Sequence, residues 1–192
     1  FYGFRNAQIK NLVLDGPLMS IYSRFSASGL ATYALSSELS NLVVSGKITS
    51  RLSSAAGLVN WAENTKFTSC LVAGSVTAVS PEGRNHNYAG GLVAKATNVD
   101  IDSCVSLASV SMVGSTNRAY TGALVGEFVS GSMSSSLAIG RVHSVLWSGA
   151  LIGYMVRPNN VELSANHWAV DSTQHTQSTF SSNPNVYLDG GF

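Results

Sequence analysis

A parallel β-solenoid is the fold this sequence predicts, and three observations predict it. A two-part motif recurs along most of the chain, its apolar positions alternate with period two over short runs, and Gly, Ser and Asn stand where the runs meet. A helical repeat would need an apolar period of about 3.6 sustained over about ten residues, and no such stretch occurs.

The first part of the motif stands at Gly29-Leu30-Ala31, Gly57-Leu58-Val59, Gly91-Leu92-Val93, Ala123-Leu124-Val125 and Ala150-Leu151-Ile152. The second part starts at Ile9, Leu39, Phe67, Ile101, Met133 and Leu163. From first part to second the step is 10 residues four times (29 to 39, 57 to 67, 91 to 101, 123 to 133) and 13 in the last unit (150 to 163). The return steps are 20, 18, 24, 22 and 17, so this half is a loop of free length. Residue types also agree by position. Asn11, Asn41, Ser69, Ser103 and Ser135 share one slot, and Leu12, Leu42, Cys70, Cys104 and Ser136 the next. Small residues follow at Gly16, Gly46, Gly74, Ala108 and Gly140, then Leu18, Ile48, Val76, Val110 and Val142 close the unit. Coils of about 30 residues, stacked at roughly 4.8 Å, make a right-handed rod of five to six coils about 25 to 30 Å long, each burying its face only against its neighbours.

These residues resemble the GLUG repeat, a scaffold found in secreted and surface proteins of bacteria, large adhesins among them. The correspondence rests on Ile9/Asn11/Leu12/Gly16, Leu39/Asn41/Leu42/Gly46, Phe67/Cys70/Gly74/Gly91, Ile101/Cys104/Leu124/Gly126 and Met133/Gly140/Leu151/Gly153. It covers residues 1 to about 170. The fifth unit departs from it, with Ser135 and Ser136 in the Asn and Cys positions. The resemblance implies architecture and an extracellular location, secreted or at the cell surface, and no particular chemistry.

Composition narrows the function classes. The 192 residues are 45% hydrophobic, enough for one domain with a sizeable core. Only 11% are charged, against about 25% in ordinary globular domains. The surface is therefore mostly Ser, Thr, Asn and Gly. A formal net charge of +1 gives no basic footprint for nucleic acid. No apolar run approaches the roughly 20 residues of a membrane span, and no charged-then-apolar leader opens the chain. Phe1-Tyr2-Gly3-Phe4 occupies the place of a first-part strand, so the chain is expected to begin inside a coil and to be linked to further domains upstream.

The third and fourth units carry the longest loops. Three residues ahead of the first part of the motif lie Tyr88, Tyr120 and Trp147 on consecutive coils, an expected ring ladder bordered by Arg84, His86 and Arg118. This edge is the candidate ligand-binding surface, since rings beside Arg and Asn donors suit sugar faces or the hot spots of a host or neighbour-cell surface protein. Packing along the rod is the competing reading of the rings, and solvation that of the two Arg. A second outward line, four residues after the start of each first part, reads Tyr33, Trp61, Lys95, Glu127 and Tyr154. Its mixed character argues against a dedicated groove.

Cys70 and Cys104 share a slot in adjacent coils, near enough for a disulfide, yet parallel in-register side chains keep Cβ atoms a little too far apart. A buried stack of two thiols is the preferred reading, with a disulfide the alternative. Two cysteines do not complete a zinc site, and His86, His143, His167 and His175 show no ligand spacing, so neither metal nor cofactor is expected. From Asn159 the pattern loosens. Trp168, Phe180, Val186, Tyr187, Leu188 and Phe192 are expected to cap the solenoid end, with 171–192 as a cap or tail of the same domain.

Polysaccharide lyases and hydrolases use similar solenoids, but their chemistry needs several acidic groups together or a base beside calcium. Asp100 and Asp102 form the one close acidic pair, without acidic partners in neighbouring coils. Thr residues form no single column of the kind an ice-binding face would need. The reading is a non-catalytic binding or adhesion module of a larger bacterial surface or secreted protein, with a polysaccharide-degrading enzyme or an inert stalk as alternatives.

Overall fold

The structure, a computed structural model, describes residues 1–16, 18–80, 87–114, 119–144 and 147–169. Every strand pairing among them is parallel and joins one coil to the next, in a stack of about five turns. The repeat positions fall into vertical files. Ile9, Leu39, Phe67, Ile101, Met133 and Leu163 lie in register, and the amide of each motif leucine donates to the next leucine's carbonyl, from Leu30 to Leu58, Leu92, Leu124 and Leu151, at 2.9 to 3.0 Å. Burying one such side chain stabilises by roughly 1.5 to 3 kcal/mol, so the files are the main source of cohesion. Phe67, Phe128, Leu42, Ile48 and Ile101 are fully buried, whereas Ile9, Leu12 and Ile21 of the first coil are only partly so.

Among the described residues two sheets form the tube, one of 17 strands that wraps around most of each coil and one of five short strands. The short strands, Ala27–Ser28, Ala55–Ala56, Asn87–Gly90, Ala119–Gly122 and Trp147–Gly149, make a wall. A tight turn leads from each to a floor strand: Ala31–Leu35, Val59–Glu63, and the starts of Val93–Asp102, Val125–Ser134 and Ile152–Met155.

On the opposite side the strands bend at residues with left-handed backbone. One file is Asn6, Ser36, Asn64 and Asn98, and another is Asn11, Asn41, Ser69, Ser103, Ser135 and Ala165, with φ between 48° and 57°. Asn tolerates this region better than other non-glycine residues. Its amide is used as well. Asn41 Nδ2 donates to Asn11 Oδ1 at 2.7 Å and Asn98 Nδ2 to Asn64 Oδ1 at 2.6 Å.

Two details depart from the expected pattern or extend it. Leu18 is not in the file of Ile48, Val76, Val110 and Val142; it is 92% exposed, and Ile21 pairs with Ile48 instead. The first coil spends more residues on its corner, and the Met19 carbonyl accepts the Lys47 amide there at 2.9 Å. In the last coil the three additional residues of the 13-residue step are absorbed by a 3-10 turn at Pro158–Asn160 before Val161–Ser164 rejoins the file. Of the expected cap, Trp168 packs against the core, and Phe180, Val186, Tyr187, Leu188 and Phe192 lie outside the described residues. No helix of the described residues is long and apolar enough to cross a membrane.

Candidate functional site: a concave aromatic corner

The turn between wall and floor folds inward because glycine ends three of the wall strands. A Cβ on Gly90, Gly122 or Gly149 would stand 1.9 to 2.0 Å from the carbonyl oxygen of Val93, Val125 or Ile152. Backbone approaches backbone so closely that no larger residue fits without a shift. Outward side chains of wall and floor therefore face each other across a corner, where on a convex tube they would diverge.

Wall and floor each contribute a file of rings. Tyr88, Tyr120 and Trp147 are in register along the wall. Tyr88 and Tyr120 stack at 6.0 Å between centroids with an interplanar angle of 21°, and Tyr120 meets Trp147 at 6.4 Å and 58°. Along the floor run Tyr33, Trp61, Lys95, Glu127 and Tyr154, also in register. Tyr33 and Trp61 lie 6.2 Å apart, and Tyr2 extends the row to 5.5 Å from Tyr33. The files then join. Tyr120 and Tyr154 stack at 4.4 Å and 12°, and Trp147 meets Tyr154 edge-on at 6.4 Å. These separations suit favourable ring pairs.

The junction at mid-rod is ionic. Lys95 Nζ is 2.9 Å from Glu127 Oε1. The same ammonium lies 5.0 Å from the Trp61 ring centroid and 5.4 Å from that of Tyr88, a cation held over two rings. Glu127 is 4% exposed, so the pair is a fixed, locally neutral part of the corner.

Two cavities open beside this junction and share Tyr88 and Lys95. Toward the C-terminal coils, one of about 440 Å³ is lined by Tyr88, Lys95, Tyr120, Glu127, Tyr154 and Val156. That volume lies in the roughly 300 to 1,000 Å³ of small-molecule sites. Toward the N-terminal coils a smaller one, about 200 Å³, is lined by Ser26, Thr32, Ser54, Asn60 and Trp61 among others. Together they form a trough along the rod axis.

Of the expected site residues, Tyr88 and Trp147 are half-buried and Tyr120 is only 7% exposed, its ring sandwiched within the ladder. Arg84, His86 and Arg118 lie outside the described residues. The floor file, which its mixed composition argued against, is brought against the wall file. The separation from Tyr88 to Lys95, Tyr120 to Glu127 and Trp147 to Tyr154 is 7 residues in each case (95 − 88, 127 − 120, 154 − 147). That constant step across a glycine turn is the signal that could have paired the two files. Asn60 and the serines of the smaller cavity carried no such signal.

The two cysteines are buried and free. Three successive backbone amides in their file are met by the next coil's side chain: Cys70 N donates to Cys104 Sγ at 3.5 Å, Cys104 N to Ser136 Oγ at 3.1 Å, and Ser136 N to Asn166 Oδ1 at 3.0 Å. The Cys104 thiol is pushed above the usual thiol range, first by its hydrogen bond with Cys70 and then by burial. It is packed as a small apolar group. The Asp100 and Asp102 carboxylates accept hydrogen bonds from the Ser132 and Ser134 hydroxyls at 2.7 Å each. Among the described residues no three His, Cys, Asp or Glu side chains are grouped to hold a metal ion. Comparison with family models, with curated proteins and with solved structures gives no match.

Proposed function

We propose that this chain is a non-catalytic binding module whose concave aromatic corner seats a glycan or a host or neighbour-cell protein, serving adhesion as part of a larger secreted or surface protein. The observation that carries this reading is the trough itself: two ring files in register, open to solvent at Tyr88, Trp147 and Trp61, with a cavity on either side of Lys95. A stalk needs no such trough. Rigid rings held by a stacked scaffold lose little conformational freedom on binding, which favours affinity.

The resemblance of the repeat to the GLUG scaffold supports an extracellular placement, as does a surface of Ser, Thr and Asn with 11% charged residues. Three carboxylates are already taken up in the scaffold, which favours the non-catalytic reading at those positions. Glu127 is engaged by Lys95, and the Asp100 and Asp102 oxygens by serine hydroxyls of the next coil.

Glycan and protein arrays probed with wild type and with Tyr88→Ala and Tyr120→Ala test the reading. A bound class that both variants lose is the expected result. An array with no ligand, or with ligands indifferent to both changes, would leave the rings as packing along an inert rod. Release of reducing or unsaturated ends from polysaccharides would move the chain to the enzymes.

A further inference from the structure

We infer that the N-terminal cavity of the corner is a recognition subsite for a neutral sugar ring with adjacent free hydroxyls, and that Asn60 is the residue that reads them; this rests on the corner being a ligand site. Asn60 sits on the floor strand Val59–Glu63 and is 5% exposed. Both its Nδ2 and Oδ1 are buried without a hydrogen-bond partner among the described residues. A buried primary amide left unpaired weakens the folded state. Thr49, Ser106 and Thr121 each bury one unpartnered hydroxyl, but neither cavity is lined by any of them. Of these four, Asn60 is the one that lines the N-terminal cavity, and its amide, closed to solvent, must turn toward the cavity to offer a ligand both a donor and an acceptor.

The corner is built differently in this half of the rod. At the equivalent step after Val93, Val125 and Ile152 stand Ala94, Gly126 and Gly153. There wall and floor nearly touch: a Cβ on Gly126 would lie 2.9 Å from the Ala89 carbonyl oxygen, and one on Gly153 2.6 Å from the Thr121 nitrogen. In the two N-terminal coils the wall strands shrink to Ala27–Ser28 and Ala55–Ala56, and the positions corresponding to Ala94 are filled by Thr32 and Asn60. Polar side chains appear where the corner opens.

The chemistry around Asn60 matches a sugar's two surfaces. Hydroxyls of Ser26, Thr32 and Ser54 line one part of the cavity and the rings of Trp61 and Tyr88 another. A pyranose presents hydroxyl edges and a C–H face, and adjacent hydroxyls can donate to Oδ1 and accept from Nδ2 of a single amide. Neutrality follows from Lys95, which lines this cavity but is already paired with Glu127. A peptide added as a further strand would need an unpaired strand edge. Here the backbone is engaged: the Ala27 amide donates to the Ser54 carbonyl and the Tyr88 amide to Ser54 Oγ.

The test uses the whole chain, calorimetric titration with cellohexaose, mannohexaose and their O-methylated forms, and Asn60→Leu beside Tyr88→Ala. At least one free hexasaccharide is expected to bind wild type. Asn60→Leu should weaken it roughly ten- to a hundredfold, as should O-methylation of its adjacent hydroxyls. Because the replacement removes an unpaired buried amide, the Tm of Asn60→Leu should equal or exceed that of wild type. Binding that needs Tyr88 but ignores Asn60, or a trough that takes only extended peptides, overturns this inference and leaves the corner as a site. A fall in Tm for Asn60→Leu overturns it too, by revealing a structural partner. Failure of every hexasaccharide, together with array ligands indifferent to Tyr88→Ala, removes the corner reading as well.

Discussion

The two sides of each coil obey the same register and put it to opposite use. On the asparagine side, these polar groups are taken up by a neighbouring coil: Asn41 by Asn11, Asn98 by Asn64, the Cys104 amide by Ser136, and the Asp100 carboxylate by Ser132. On the aromatic side Tyr88, Trp147 and Trp61 keep part of their surface exposed, and the Asn60 amide has no hydrogen-bond partner among the described residues. A side that satisfies itself holds coils together, and a side with surplus bonding capacity is where a ligand gains most. Stability and recognition are thereby separated within one repeat.

The sharpest way to break this contrast is to fill the corner. Gly122→Val places a Cβ about 2.0 Å from the Val125 carbonyl oxygen, and a cost of about 3 kcal/mol is expected in denaturant titrations. A midpoint within error of wild type would mean that the corner does not depend on this close approach. Next comes Tyr88→Ala. Its ring is half-buried, so affinity for an array-identified ligand should fall by roughly 30- to 100-fold, while stability drops by only about 1 kcal/mol.

Glu127→Gln probes the junction between the cavities. Losing the charge partner of Lys95 should cost about 1 to 2 kcal/mol by thermal unfolding, since the ammonium can still lie over the Trp61 and Tyr88 rings. The smallest effect is expected on the opposite side. Asn41→Ala must hold φ near 54° without the bond to Asn11, a loss of about 1 kcal/mol, whereas Asn41→Gly should stay within about 0.5 kcal/mol of wild type. Neither change should alter ligand binding. A binding defect in Asn41→Ala would show that the two sides are coupled.

Much of the fold was legible in the chain because parallel stacking makes position in the repeat equivalent to position in space. The files of Leu42, Cys70 and Cys104, and of Tyr88, Tyr120 and Trp147, are where their constant three-residue offsets from the two parts of the motif put them. Leu18 misled because counting from Gly16 ignores a corner that bulges, and the bulge delivers Ile21 to the file instead. The floor file misled for another reason. Lys95 and Glu127 look like an interruption of a ring series when read down one column, and become its central ion pair once the second column faces them.

Residue order by itself determined the repeat, its register, and which side chains share a height on the rod, because alternation of period two and a constant step leave only one way to stack the coils. Tertiary structure decided that the corner is concave, that two ring files meet across it, and that Asn60 ends up buried beside an open space. Curvature depends on how closely backbone carbonyls can approach the glycines of the turn. That distance is a property of the folded path, and no spacing along the chain records it.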